Sequence, residues 1–152
     1  MKMVRCALLC VSFALAAGDP QGFHLWTASE LKGLAKALAP KLNAGTALER
    51  IPGAGNYSFV KIYRNATGQA ELHETQADVF VVETGEATLV YGGKLVDGKT
   101  TAEHEMRGTA VTGGEECKLA PGDIVSVPAK VPHWVKLAPG KDVAGFIVKI
   151  TQ

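Results

Sequence analysis

Six turn dipeptides divide the second half of the chain: Thr84-Gly85, Gly92-Gly93, Asp97-Gly98, Gly113-Gly114, Pro121-Gly122 and Pro139-Gly140. Glycine supplies the left-handed backbone that tight turns demand, and proline fixes its own φ at a value that turns use. Between most of these turns there is no room for a helix of ordinary length. The runs they separate carry β-branched and aromatic residues at a period of two, the spacing that puts alternate side chains on one face of a strand. Strands are expected over residues 57–64, 69–74, 78–83, 86–91, 94–96, about 105–111, 116–119, 123–127, 132–137 and 144–151. Many short strands so spaced mean an all-β sandwich or barrel.

One helix precedes them. Thr27-Ala-Ser-Glu30 has the form of a capping box, in which the Thr27 hydroxyl and the Glu30 carboxylate each satisfy a free backbone N–H. Leu31, Leu34, Ala35 and Leu38 follow at helical spacing, Lys32 and Lys36 fall off that stripe, and Pro40 stops it. The result is an amphipathic helix of about three turns that needs a surface to lie on.

The first residues read as an address. Lys2 and Arg5 precede an apolar run over residues 6–17 that is too short to span a membrane, and Ala14-Leu15-Ala16 supplies the small residues a signal peptidase needs. Cleavage is expected near Ala16, giving a secreted or periplasmic protein. Cys6 and Cys10 leave with the signal peptide, so Cys117 remains alone and the fold must be held by its core rather than by an internal disulfide. The 152 residues, 47% hydrophobic and 20% charged, suit one globular domain. A formal net charge of +1 offers no basic footprint for nucleic acid, and no membrane partner is expected after signal cleavage.

The chemistry-bearing residues cluster in two stretches. In Glu71-Leu-His73 the two polar side chains are two apart and share a face, and after the turn at residues 75–77 the set Asp78, Phe80 and Val82 does the same. Near the other end, His133, Val135 and Leu137 share a face while Trp134 takes the opposite one. Two imidazoles with one or two carboxylates form a set that a first-row divalent ion accepts, with positions left for water or substrate. Two readings stand for Glu71, as a ligand or as a solvent-facing residue on a register slipped by one. Two also stand for Asp78, as a ligand or as a turn-exit residue bonding backbone N–H groups. Glu103-His-Glu105 lies in the long segment 97–114, read as a solvated loop or a lid.

At these residues the chain resembles the cupin superfamily, small β-barrels with a first motif G-x(5)-H-x-H-x(3,4)-E-x(6)-G and a second G-x(5)-P-x-G-x(2)-H-x(3)-N. Here the first reads Glu71-x-His73-x(4)-Asp78-x(6)-Gly85 and the second Pro128-x-Lys130-x(2)-His133-x(3)-Leu137. The resemblance covers about residues 57–151. It implies a cupin-type barrel (double-stranded β-helix, or jelly roll) over 57–152, with a signal peptide over 1–16 and an N-terminal arm and helix over 17–56. It implies a divalent metal held by His73, His133, Asp78 and Glu71, although Glu71 stands where a histidine is usual, Asp78 replaces Glu, Lys130 replaces Gly and Leu137 replaces Asn. The oxygen-rich set leans toward manganese or iron, with nickel and zinc also in range.

The expected function is that of a secreted single-domain cupin acting on a small-molecule ligand, as a metal-dependent oxidoreductase of dioxygenase type or as an isomerase or lyase. The alternative is a metal-free small-molecule-binding cupin without catalysis. A third reading is an exported homodimer joined through sheet edges, with the helix covering one.

Overall fold

The structure, a computed structural model, describes residues 19–20 and 22–152. The signal segment, Cys6 and Cys10 lie outside the described residues. The helix begins and ends where its punctuation sets it. α1 spans Ala28–Leu38, the Glu30 N–H donates to Thr27 Oγ1 at 3.3 Å, and the Thr27 N–H donates to Glu30 Oε2 at 2.7 Å. Pro40 falls in a 3-10 turn, Ala39–Lys41, that closes the helix.

Thirteen strands follow among the described residues: β1 Thr46–Ile51, β2 Tyr57–Arg64, β3 Ala70–His73, β4 Gln76–Gly85, β5 Ala87–Tyr91, β6 Lys94–Val96, β7 Lys99–Ala102, β8 Glu105–Gly108, β9 Ala110–Thr112, β10 Glu115–Leu119, β11 Ile124–Val127, β12 His133–Lys136 and β13 Val143–Thr151. Two of them differ from expectation in existing at all. β1 exposes Leu48 and buries Ala47, the reverse of an amphipathic signal, because its only strand neighbour is β2 at the sheet edge. β7 is exposed at every residue and is held by backbone pairing to β8, so no apolar pattern marks it. The segment 97–114 is therefore not a loop or lid. It is a hairpin, β7–β8, followed by β9, with the single strand expected over 105–111 split between β8 and β9.

All pairings are antiparallel. A five-stranded sheet runs β1-β2-β13-β4-β11, a six-stranded sheet runs β10-β5-β12-β3-β8-β7, and β6 and β9 form a ribbon. The two large sheets face each other as a jelly roll, which leaves one interior between them. Ile62, Phe80, Val82, Leu89, Leu119, Val127 and Val143 fill it. The alternation that sends Phe80 and Val82 inward sends Asp78 inward too, at the same level as the polar end of the barrel. Gly85 turns out of β4 at φ 77°, where an added Cβ would collide with the Asp142 carbonyl, so this motif position needs glycine on two counts.

The opposite face of β2 carries Tyr57, Phe59 and Lys61. Phe59 packs edge-on against Trp26 with ring centroids 4.7 Å apart, and Phe146 of β13 joins them, so these aromatics tie the N-terminal arm to the outer wall and stay out of the interior. Lys61 is fully buried and ion-paired with Glu83. Burial pushes its ammonium down to about 8.

Candidate metal centre

Register brings the polar residues together as cross-strand pairs. On the six-stranded sheet Glu71 lies opposite His133 of β12 on one side and opposite Arg107 of β8 on the other, while His73 lies opposite Glu105. On the five-stranded sheet Asp78 lies opposite Lys149 of β13. Directly paired residues share a face. Both sets face the interior, and His73 reaches from one sheet to the other.

The hydrogen bonds settle which nitrogen of each imidazole carries the proton. His73 Nδ1 is 2.8 Å from Glu105 Oε1, and a carboxylate only accepts, so Nδ1–H donates and Nε2 keeps its lone pair. His133 Nδ1 is 3.1 Å from the Val131 carbonyl, which makes the same choice. Both Nε2 lone pairs thus point into the barrel, with their outer nitrogens anchored in the way that orients metal-binding histidines. The rings are nearly buried, at 2% and 7% exposure. Glu71 Oε2 is 3.6 Å from His73 Nε2 and 3.9 Å from His133 Nε2, and the three residues offer donor atoms all within 4.8 Å of one another. Donors about 2.1 Å from one ion lie roughly 3.0–3.5 Å apart, so a small closing movement brings these three into a shared coordination sphere. Glu71, His73 and His133 fit a divalent ion.

Asp78 is placed differently. It is buried beside the group, with Oδ2 3.3 Å from His73 Nε2, but both of its oxygens accept from Lys149 Nζ, at 2.8 and 3.1 Å. The same ammonium stands 3.1 Å from His73 Nε2. Neither of the alternative placements holds for the carboxylates: Glu71 is not turned to solvent, and Asp78 is engaged by side chains rather than by the 75–77 backbone.

Charge is balanced within the cluster. Arg64 Nη2 donates to Glu71 Oε1 at 2.9 Å, Arg107 pairs with Glu71 and Glu105, and Lys149 pairs with Asp78. Burial alone would raise the Glu71 carboxyl, but Arg64 and Arg107 overcome it and hold the group well below the usual carboxylate range. Burial likewise opposes the shift at Asp78, and the groups around it, the Lys149 ammonium among them, bring its carboxyl below the ordinary value. Burial lowers His133, only partly offset by Glu71. Ionised carboxylates and a His133 biased toward its neutral form are protonation states that suit a metal site.

The cavity lined by Arg64, Glu71, Asp78, His133, Phe80 and Leu89 has a volume of about 40 Å³. That holds roughly three water molecules. A larger polar cleft of about 390 Å³ lies outside it, lined by Arg50, Thr75, Gln76, His104, Glu105 and Arg107. Glu105 and Arg107 line the cleft and pair with His73 and Glu71 of the cluster.

No protein-family model matches the chain, and no curated protein matches it. Solved structures do. Peruvianin-I, a cysteine peptidase from Thevetia peruviana latex, matches with a TM-score of 0.55 and 11% identity over 84% of this chain and 76% of that one. A recombinant oxalate oxidase in complex with glycolate matches at 0.52 and 13% identity, over 72% of this chain and 53% of that one. A predicted oxalate decarboxylase from Thermotoga maritima matches at 0.51 and 10% identity, over 70% and 81%. The fold is that of a cupin. A peptidase, an oxidase and a predicted decarboxylase share one backbone plan, so the likeness speaks for the cupin fold and not for a reaction.

The departures from the cupin motifs now have structural content. Lys130, in the place of a motif glycine, adopts φ 65° and sends its N–H to the His73 carbonyl at 2.7 Å, so the left-handed turn survives the loss of glycine. Leu137, in the place of asparagine, packs against the apolar core. Arg64, Arg107 and Lys149 were not singled out from the sequence, and Glu105 was read only within the charged Glu103-His-Glu105 loop. Lys149 had a visible signal, a lysine at an inward position within the apolar run of residues 146–150. Nothing local marked Glu105 as the partner of His73, because that contact is fixed by the pairing of β3 with β8.

Proposed function

We propose that this cupin holds one divalent ion on His73, His133 and Glu71 and acts on a small molecule that enters from the outer cleft. The observation that carries the reading is that both imidazoles are anchored through Nδ1 and offer Nε2 to the same point. A bound ion would supply Lewis-acid polarisation of a substrate oxygen or an activated water. The protein's own residues do the rest. Arg64 and Arg107 keep Glu71 ionised, Glu105 orients His73, and the apolar wall of Phe80 and Leu89 excludes bulk water. A cavity of about 40 Å³ admits only the reacting end of a substrate, so the bulk of the molecule lies in the cleft between Arg50 and Arg107. Export from the cell and assembly as a homodimer belong to the same proposal, the first supported by the pattern of Lys2, Arg5 and the apolar residues that follow.

One observation favours a second reading, a binding cupin without metal. Three cations already balance Glu71, Asp78 and Glu105, so the cluster is neutral with no ion added. Elemental analysis separates the two. Protein expressed with manganese, iron, nickel and zinc supplied, then dialysed, is expected to carry close to one equivalent of one of them; protein that stays metal-free and binds none on titration supports the second reading. Glu105→Gln is expected to weaken metal binding by about 10- to 100-fold in calorimetric titration while the melting profile stays cooperative, since it loosens the orientation of His73 without removing a ligand.

A further inference from the structure

The Lys149 ammonium contacts both oxygens of Asp78 and lies 3.1 Å from a nitrogen assigned above as a metal donor. With His73 Nε2 and Asp78 Oδ2 3.3 Å apart, an ion bonded to both would lie on a small circle about their midpoint. Every point of that circle is within about 4 Å of the ammonium, where two like charges repel in a medium far less screening than water. Asp78 thus has no way into the coordination sphere while Lys149 stays in place.

Resting on the metal reading above, we propose that Lys149 is a built-in competitor for the metal: it withholds Asp78, limits the ion to His73, His133 and Glu71, and sets a weaker affinity than the four side chains would otherwise give. The cross-strand pairing of Asp78 with Lys149 makes this a property of the fold, because the register of β4 against β13 sets the two opposite each other and Asp78 is the lysine's one ion-pair partner among the described residues. The consequence is an exchangeable ion with open positions for water or substrate, in place of a closed structural site.

The test is a double-mutant cycle read by calorimetric titration of the full folded chain with Mn²⁺ and Zn²⁺. Lys149→Met matches the lysine in length and removes its charge; it is expected to bind either ion about 10- to 100-fold more tightly than the native protein. Adding Asp78→Asn to that variant removes the gain, whereas Asp78→Asn alone leaves the native affinity within about twofold, because Asp78 is not a ligand there. Circular dichroism and a melting curve confirm folding, and Lys149→Gln, which keeps a donor for Asp78, carries the same expectation should the methionine variant fail to fold. Equal affinity in native and Lys149 variants overturns the inference and leaves the metal reading intact. The same holds if Asp78→Asn weakens the native site as much as the variant. Metal bound by the variants but not by the native chain supports the inference and overturns metal use by the native protein. Absence of binding in all of them overturns both.

Discussion

Glu71→Ala is expected to lower the unfolding free energy by about 3 kcal/mol in urea denaturation. Glu71 accepts a hydrogen bond from Arg64 and is ion-paired with Arg107, and Arg64 has no other carboxylate partner among the described residues. Truncating the carboxylate therefore leaves a buried guanidinium uncompensated, the circumstance in which removing one member of an ion pair costs most. The exposed pair Lys41–Glu49, 3.8 Å apart, provides the contrast: Glu49→Ala is expected to change stability by less than about 0.5 kcal/mol. Glu71→Gln keeps an acceptor for Arg64 and is expected to fall between the two.

The same residues give a direction to the pH dependence. Folded Glu71 and Asp78 lie below their unfolded values, so their contribution is fully present above the ordinary carboxylate range and is lost as pH falls through the folded values. Folded His133 also lies below its unfolded value, so the unfolded chain takes up a proton first on acidification. Stability is expected to begin falling below about pH 6.5 and to fall again below about pH 4, with Glu71→Ala losing part of the second phase. A chain more stable at pH 4 than at pH 7 would contradict these assignments.

The second large effect concerns the imidazoles. His73→Ala combined with His133→Ala is expected to reduce affinity for Mn²⁺ or Zn²⁺ by at least about 1,000-fold, because only Glu71 is left of three donors. The barrel is expected to remain folded, since the apolar cluster that includes Ile62, Val82, Leu89 and Val143 contains neither ring. Folding and metal affinity should therefore separate, with a cooperative melt and no calorimetric signal. Unchanged binding in this variant would place the ion elsewhere, for example at the exposed His104–Glu74 pair.

The legible parts of this chain were those governed by local rules. The Thr27–Glu30 box and Pro40 bounded α1 because capping depends on residues three apart. Gly85 bounded β4 because its φ is set locally. The motif spacing placed Glu71, His73, Asp78 and His133 inward because period two is a property of any strand. β7 was not legible, since Lys-Thr-Thr-Ala pairs through its backbone and buries nothing. The partners of the site were not legible either. Arg64 meets Glu71 through the packing of one sheet on the other, and Lys149, Glu105 and Arg107 meet Asp78, His73 and Glu71 through registers that no short window contains. Asp78 shows the difference: its direction was local, while its engagement by Lys149, 71 residues away, was not.

The central claim is that two inward Nε2 atoms and Glu71 form one binding point. Crystals grown with Mn²⁺ or Zn²⁺ and measured on both sides of the metal absorption edge test it most directly. The account predicts one anomalous peak inside the barrel, within bonding distance of His73 Nε2, His133 Nε2 and a Glu71 oxygen. A barrel without such a peak at saturating metal, or a peak bonded to other residues, would contradict it.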